Sequence, residues 1–522
     1  MDELPSLGRM FGSLGGWDGL VLAVSLAALF VIAALAGRKE SNTRDFFLGA
    51  RRIPVIVATL SFIATEVSAV TITNVPGTGF TENLQYLQFF IGSAASKLFV
   101  AFLFLPVFYK HDCTSIYEFL QARFGSPSQY CGSIFFFITR LMSAGIRLYA
   151  ACFAIACIMG WTLGQSLLLF TVVSIAFIAF GGIKAVVWAG AYQATVFYLA
   201  GAAVVVWIFL HIAGGLQQVW DLAGPAGRLS VFKFDFQLNN PTTFWAGTAN
   251  AFFVGLAMFG TDQELVQRLL TVRTRRDSQK AMVWTILAAF PVVLLYLLIG
   301  TLMFVFFAQR PDPAVPSAAK EVFPYFITHY LPVGLKGLIL AAIVLASIDS
   351  PLASLSSSFV VDIYRPLVRK AASERHYLLM SRVGVVGFGL ILAAIAWSCQ
   401  GADNILWLAF RAVSVPAGSM LGVFLLGLLT KRGSNRGNII AMTSNAVLMA
   451  ALLLACSFGP VGLASFLGLS NRLPPPGEPA LIGLAWSWLI VIGTGFTFML
   501  AYVIGLIPVN KAARGLDYDE AF

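Results

Sequence analysis

The stretch Ser61–Phe80, SFIATEVSAVTITNVPGTGF, begins like a membrane helix but does not continue as one. It ends in Pro76, Gly77 and Gly79, residue types that weaken or break helices. A carboxylate is costly in hydrocarbon, so we expect Glu66 to face a cavity or a partner. Broken helices are tolerated at membrane depth where their freed backbone groups line a site or are buried in protein. Within Ser61–Phe80, apolar residues are interleaved with polar ones: Thr65, Glu66, Ser68, Thr71, Thr73 and Asn74.

The stretch therefore predicts a broken helix beside a polar site. It also fits a plain helix end whose polar side chains face neighbouring helices, because small and hydroxyl residues commonly pack membrane helices together.

The composition of the whole chain places it in a membrane. Of its 522 residues, 58% are hydrophobic and only 11% are charged, and the mean hydropathy is +0.83. Soluble domains carry about 25% charged residues. No long polar segment separates the apolar runs, so we predict one all-α polytopic bundle. The acidic N-terminus is not typical of a cleaved signal peptide, and Leu20–Ala36 is predicted to be a retained helix.

The reactive side chains give no sign of an enzyme. The six cysteines are scattered and form no disulfide or zinc pattern, and the four histidines lie far apart in the sequence. We find no cluster of histidines and carboxylates and no nucleophile–base pair, so the sequence predicts no catalytic site.

Apolar segments near the ~20 residues needed to cross a bilayer recur about thirteen times. The predicted spans are 18–37, 54–79, 85–109, 128–160, 163–181, 184–213, 243–270, 277–308, 332–365, 375–399, 403–429, 437–459 and 482–507.

The basic residues predict the orientation of these spans. With the N-terminus placed outside, 22 of the 34 lysines and arginines fall in inner segments and 7 in outer segments. This bias is what the positive-inside rule requires. We therefore expect an integral protein of the plasma (inner) membrane with its C-terminus in the cytoplasm. The net charge of +10 is explained by the inner loops, so it predicts no nucleic-acid partner.

Two predicted spans look interrupted, 54–79 and 243–270, and they lie five spans apart. Five is an odd number, so the second block enters the membrane from the opposite side. This is the arrangement of an inverted repeat with a site at mid-membrane. Five regions follow: 1–53 with an outer N-terminus, the first span and an inner loop; 54–213, the first five-helix repeat; 214–242, an outer loop; 243–429, the second, inverted repeat; and 430–522, two extra spans and a short inner tail.

The span 332–365 is rich in hydroxyl groups. Pro351 removes a backbone donor and crowds the carbonyl of Ser347, and freed carbonyls with a hydroxyl suit a hard cation. Asp349 adds a charge. The alternative is a serine-rich packing face. By the i, i+3, i+4, i+7 rule, one helical face carries Ile343, Ala346, Ser347 and Ser350.

Two arginines lie inside the span 128–160, seven residues apart and so on one face. Two roles fit Arg147: its planar fork can hold a substrate carboxylate, or it can pair with Glu66. Arg140 lies nearer the inner end, where a structural role is expected. The aromatic residues Tyr86, Phe89 and Phe90 fit a cavity wall, although most of the 45 phenylalanines must face lipid or pack.

A series of motifs extends along nearly the whole chain. They are FFLGARRIP at Phe46–Pro54, ATEVSAVT at Ala64–Thr71, FLPVFY at Phe104–Tyr109, TSIYEFLQARFG at Thr114–Gly125, GGIKAVVW at Gly181–Trp188, GTDQELVQRLL at Gly260–Leu270, SIDSPLASLSSSFVVDIYRP at Ser347–Pro366 and GSMLGVFLLGLLTKRGSNRG at Gly418–Gly437. In their order and spacing these motifs resemble the sodium/solute symporter family, which includes sodium–sugar, sodium–proline and sodium–sialic-acid carriers.

The resemblance implies a LeuT-like inverted repeat of 5+5 helices with flanking helices. It implies a sodium site built by Ala64, Val67, Ile343, Ala346 and Ser347. It also implies a substrate site built by Glu66, Ser68, Thr71, Phe90, Ser93 and Arg147, in which Arg147 matches the arginine that holds a carboxylate in the sialic-acid carriers.

Two positions depart from the family pattern. Ala346 stands where the family often has a hydroxyl, so one oxygen ligand is lost. Gly190 stands where an aspartate is common, which argues against a second sodium site. Asp349 or Glu66 could supply the lost charge, or the carrier could couple to H+.

We therefore predict a cation-coupled symporter, with Na+ as the coupling ion, for a small polar organic solute, with a carboxylate preferred. A sugar or amino-acid carrier of the same fold, proton coupling and a non-transporting sensor remain alternatives. The expected partners are the solute and membrane lipid, and no obligate protein partner is evident.

Overall fold

The computed structural model describes residues 15–36, 48–113, 115–180, 183–347, 351–400, 405–457 and 481–506. Every regular element in these ranges is helical, which confirms the all-α fold class. Eight described helices are long and apolar enough to cross a bilayer, and a bent pair at Val55–Thr81 gives a ninth. The count of thirteen spans and the five sequence regions stay predictions.

The α-helices are numbered here in chain order. They are α1 Gly16–Ala36, α2 Val55–Glu66, α3 Ala69–Thr81, α4 Phe89–Phe99, α5 Leu105–Lys110, α6 Glu118–Phe124, α7 Ser126–Met159, α8 Leu163–Phe180, α9 Ile183–Leu210, α10 Gly215–Ala223, α11 Phe244–Thr261, α12 Gln263–Leu270, α13 Arg275–Gln309, α14 Ala319–His329, α15 Leu335–Leu345, α16 Pro351–Ser358, α17 Glu374–Ser398, α18 Ile405–Leu429, α19 Asn435–Ser457 and α20 Leu489–Leu506. Short 3-10 turns at Gly49–Arg51, Gln85–Gln88 and Trp486–Trp488 and π-helical turns at Val100–Phe104 and Phe359–Val368 complete the set.

The first predicted helix break is present, at Val67 and Ser68. Both residues are extended, with φ/ψ of −80/98° and −95/175°, and α2 and α3 meet at an angle of 59°. Extended residues cannot carry the i→i−4 ladder, so the last carbonyls of α2 lose their helical partners. The expected unwound segment at the start of the chain's central bundle is therefore confirmed.

The residues expected to weaken this helix do not break it, because Pro76, Gly77 and Gly79 all lie inside α3. The two glycines serve close packing instead. A Cβ on Gly77 would lie 1.9 Å from the carbonyl oxygen of Ala319, and one on Gly79 would lie 2.5 Å from that of Leu297. The glycines thus let α3 touch the backbones of α13 and α14.

The second predicted break lies at Asp262, between α11 and α12. This residue is extended (φ −101°, ψ 119°), and its carboxylate accepts a hydrogen bond from the backbone N–H of Glu264 at 2.9 Å. An aspartate at this position caps the first turn of the new helix. The span 243–270 is therefore interrupted as predicted.

The hydroxyl-rich span is divided as well. Helix α15 ends at Leu345, and Pro351 begins α16, a position that suits proline because the first helical residue needs no backbone donor. Asp349 and Ser350, predicted to lie near the cation site, fall outside the described residues.

Helix packing brings these interruptions together. Helix α9 packs along α2, α13 packs along α3, and α11 packs along α4. The flanking helix α1 packs on α15. The carboxylate of Asp18, on α1, accepts hydrogen bonds from the backbone N–H groups of Gly334 and Gly337, at 2.7 and 2.9 Å. Asp18 therefore caps α15.

Short helices also lie where the sequence analysis placed no span, among them α10 and α14. Helix α10 lies within the predicted loop 214–242, and α14 packs on α3 and α7. With 9 and 11 residues, both are too short to cross a bilayer, so a search for ~20-residue apolar segments could not find them. All six cysteines are free.

Candidate functional site

A cavity of about 170 Å³ lies between the first helix break, α4, α7 and α11. We call it the large cavity. The aromatic residues Tyr86, Phe89 and Phe90, predicted for a cavity wall, line it. All six predicted substrate residues line it too: Glu66, Ser68, Thr71, Phe90, Ser93 and Arg147. The structure thus brings together residues spread over 82 positions of sequence, but their role in binding stays a prediction.

Arg147 reaches this site from α7. Its Nη1 donates a hydrogen bond to the backbone carbonyl of Thr65 at 3.0 Å, one of the last carbonyls of α2. A guanidinium here satisfies an acceptor that the helix break releases. Arg147 also lines the large cavity, so its side chain borders the space that a solute would fill.

Glu66 forms an ion pair with Lys97, which lies on α4. Its Nζ lies 2.8 and 2.7 Å from the two carboxylate oxygens of Glu66, and also 5.0 Å from the ring centroid of Phe259. The Lys97 side chain is 0% exposed, whereas that of Glu66 is 19% exposed and lines the large cavity. The sequence reading gave Lys97 no role, and its one signal was a lysine in the middle of an apolar run.

A second, small cavity of about 50 Å³ lies on the other side of the break. Three of the five predicted sodium residues line it: Ala64, Ala346 and Ser347. A cavity of this size can hold a water molecule or a small ion. Ser68 and Arg147 line both cavities, so the two spaces share a wall.

The other two predicted sodium residues do not line the small cavity. Val67 lies in the break itself, and Ile343 lies one turn before Ser347 on α15. The Ser347 hydroxyl donates to the Ile343 carbonyl at 2.8 Å, so these two oxygen groups are adjacent. Helix α8 contributes Thr171 and Ser174, which the sequence analysis did not predict. The buried Thr171 hydroxyl has no hydrogen-bond partner among the described residues.

A buried charge network lies next to the small cavity and holds the second helix break. Arg140 pairs with Asp262 at 3.3 Å and also contacts the carboxylate of Glu264. Glu264 in turn lies 3.5 Å from Arg268, which donates to the Ser61 hydroxyl of α2 at 2.7 Å. Buried charges need such partners, so the structural role expected for Arg140 agrees with its position.

The glycine that replaces the family's aspartate is a contact point between helices. A Cβ on Gly190 would lie 2.6 Å from the Ser61 hydroxyl and 3.1 Å from its Cα. Helix α9 therefore approaches α2 too closely for a side chain at this position. No group of three or more histidine, cysteine or carboxylate side chains suited to a metal occurs within the described ranges.

Known proteins resemble this chain along most of its length. The model of the sodium:solute symporter family matches residues 46–444. The rabbit sodium-dependent multivitamin transporter is 31% identical over 88% of this chain and 72% of its own. The human sodium/iodide cotransporter is 27% identical over 96% and 77%, and the mouse sodium-coupled monocarboxylate transporter 2 is 28% identical over 79% and 68%.

Solved structures agree in fold. A Na⁺-coupled sialic acid symporter superposes with a TM-score of 0.82 at 22% identity and covers 95% of this chain and 98% of its own. A nucleobase-cation-symport-1 family transporter gives a TM-score of 0.54 at 12% identity, over 87% and 92%. These neighbours have the LeuT fold, so the predicted fold is confirmed.

A central broken helix, a cavity with polar lining residues on each side of it and a family match across most of the sequence lead to one assignment. The chain belongs to the sodium:solute symporter family, as an integral membrane carrier that couples a small solute to Na⁺ and is not an enzyme.

Proposed function

We propose that this chain imports a small organic anion, a carboxylate, together with Na⁺. The observation that carries the proposal is the shared wall of the two cavities, where Arg147 borders both. In this scheme Na⁺ occupies the small cavity near Ser347, and the solute occupies the large cavity. Arg147 holds the solute carboxylate through its planar fork, which matches a carboxylate in a bidentate way.

The charges around the two cavities favour an anion. The three charged side chains that line the cavities and the four that join them through ion pairs are four cations and three carboxylates, which leaves this network a formal charge of +1. A cationic solute would add to this charge in a region of low dielectric constant, whereas an anion offsets it. The seven side chains are Lys97, Arg140, Arg147 and Arg268 against Glu66, Asp262 and Glu264.

The same geometry supplies a coupling mechanism. A Na⁺ ion within about 5 Å of the Arg147 guanidinium is repelled by roughly 3 kcal/mol at an effective dielectric constant of 20. A carboxylate beside the same guanidinium offsets that repulsion, so each ligand improves the binding of the other. The effect is reciprocal by linkage. Alternating access by rocking of the two helix blocks then carries both ligands across together.

The relatives support the anion assignment. Two of them are named for anionic cargo, iodide and monocarboxylates. Both carboxylate oxygens of Glu66 already contact Lys97 Nζ, at 2.8 and 2.7 Å, which favours a role for Glu66 in this ion pair over a role in proton coupling. We further propose the orientation given by the basic residues, with the N-terminus outside and the C-terminus in the cytoplasm.

Uptake into proteoliposomes tests this function. Proteoliposomes that contain the purified carrier would be incubated with labelled pyruvate, glucose or proline. An inward Na⁺ gradient, an inward H⁺ gradient or no gradient would be imposed. We expect concentrative uptake of pyruvate that needs the Na⁺ gradient. Accumulation of glucose or proline instead would overturn the carboxylate assignment, and uptake driven by H⁺ alone would overturn sodium coupling. Solute binding without accumulation would indicate a sensor.

A further inference from the structure

The ion pair between Lys97 and Glu66 is not needed for the Na⁺ site or for the Arg147 contact. Its two charges differ in position. Glu66 lines the large cavity, and Lys97 is fully buried and lies outside the set of lining residues. The ammonium is enclosed by the rings of Phe90 and Phe259, at 6.0 and 5.0 Å from their centroids.

With Glu66 on the cavity wall and Lys97 behind it, the nearest charge of the pair repels an anionic solute. A carboxylate that enters the large cavity meets the Glu66 carboxylate on the wall, and two like charges in a poorly hydrated space repel strongly. Lys97 contacts both oxygens of Glu66 and cancels that charge from behind. Arg147 is then left to set the sign of the charge that the cavity accepts.

We infer that Lys97 is a specificity-determining residue, which keeps Glu66 in a neutral pair so that the large cavity accepts an anion. The inference rests on the proposed function and assigns Lys97 no contact with the solute. A solely structural lysine would also bury its charge against Glu66. The two roles differ in what happens when both charges are removed together.

The test is a set of variants reconstituted in proteoliposomes: wild type, Lys97→Gln, Lys97→Arg and Lys97→Gln/Glu66→Gln. The measurement is the KM and Vmax for Na⁺-driven pyruvate uptake. Lys97→Gln exposes the solute to an unpaired carboxylate, so we expect its KM to rise about tenfold or more. Lys97→Arg keeps the ion pair and should stay within about threefold of the wild-type KM, whereas the double variant removes the unpaired carboxylate and should lower the KM at least about threefold below that of Lys97→Gln.

Lys320→Gln is the matched control. Lys320 is also a largely buried lysine over an aromatic ring, Phe153 at 5.1 Å, but it lines neither cavity. We expect its KM to match that of the wild type. If Lys97→Gln fails to fold, Lys97→Met, a neutral side chain of similar length, takes its place, with the same expected rise in KM and the same comparison with the double variant.

Two results would overturn the inference. One is a double variant whose KM is as high as that of Lys97→Gln. The other is a Lys97→Gln variant that loses Vmax and thermal stability at an unchanged KM, which indicates a structural role. Wild-type carrier that accumulates no carboxylate under a Na⁺ gradient would instead refute the proposed function, so the two failures are distinguishable.

Discussion

The Nη1 of Arg147 lies 3.0 Å from the backbone carbonyl oxygen of Thr65, at the last turn before the first helix break. One side chain of α7 therefore stabilises the unwound segment and borders both cavities. Any movement of α7 relative to α2 changes the shape of both cavities together. This relationship is the structural basis that we propose for coupling in the carrier.

Replacing Arg147 tests its contact with the solute. Arg147→Ala should raise the KM for a carboxylate by about 10- to 100-fold, since a hydrogen bond to a charged group contributes about 1.5–3 kcal/mol. Arg147→Lys keeps the charge but loses the planar fork, so its KM should lie between those of the wild type and Arg147→Ala. The matched control is Arg310→Ala, an exposed arginine stacked on Phe306 at 4.7 Å. An Arg147→Ala variant with wild-type KM would exclude this arginine from solute binding.

The sequence predicted the existence of the first break better than its position. Interleaved hydroxyl residues and Glu66 indicated the segment in which the helix break lies. Pro76, Gly77 and Gly79 were wrong as the point of breakage, because the glycines are required by backbone contacts with Ala319 and Leu297. Such contacts come from distant helices, so local helix propensity could not reveal them.

The sequence also could not show which buried charged residues pair with each other. Lys97 and Glu66 are 31 positions apart, and Arg140 and Asp262 are 122 apart. A lysine inside a span signals that a partner exists but not which carboxylate it is. In contrast, all six candidate substrate residues line one cavity, because the resemblance to the family carried information about its three-dimensional arrangement, and their role in binding stays a prediction.

Ser347 tests the sodium site. Ser347→Ala removes an oxygen ligand from the small cavity, so the Na⁺ concentration for half-maximal uptake should rise roughly three- to tenfold, from a net contribution of about 0.5–1.5 kcal/mol. Ser347→Thr keeps the hydroxyl and should stay near wild type. Ser354→Ala is the control, since that hydroxyl donates to the Pro351 carbonyl at 3.1 Å and lines neither cavity. A sodium dependence that Ser347→Ala leaves unchanged would remove this residue from the site.

Gly190 tests the close approach of α9 and α2. Gly190→Ala places a methyl group against Ser61, and overpacking of this kind destabilises by about 1–3 kcal/mol. The melting temperature in detergent should therefore fall. Gly387→Ala is the matched control, because a Cβ there meets nothing within 4 Å. Gly190→Asp should lower stability further without raising the Hill coefficient for Na⁺; a higher coefficient would mean that a second sodium site can form.

Asp18 tests the link between the flanking helix α1 and α15, the helix that ends just before Ser347. Asp18→Ala removes the acceptor of two N–H groups at the start of α15, Gly334 and Gly337. Loss of such a cap should cost about 1–2 kcal/mol and lower the melting temperature. Asp221→Ala, at an exposed carboxylate of α10, should change it little. Equal melting temperatures for the two variants would show that α1 does not support α15.

The central claim is that solute and Na⁺ bind next to each other and strengthen each other's binding. Calorimetric titration of the purified carrier with pyruvate, at zero and at saturating Na⁺, tests this most directly. We predict that Na⁺ lowers the Kd for pyruvate at least fivefold or so, and that pyruvate lowers the Kd for Na⁺ by the same factor. A Kd for pyruvate that does not depend on Na⁺ would contradict the account.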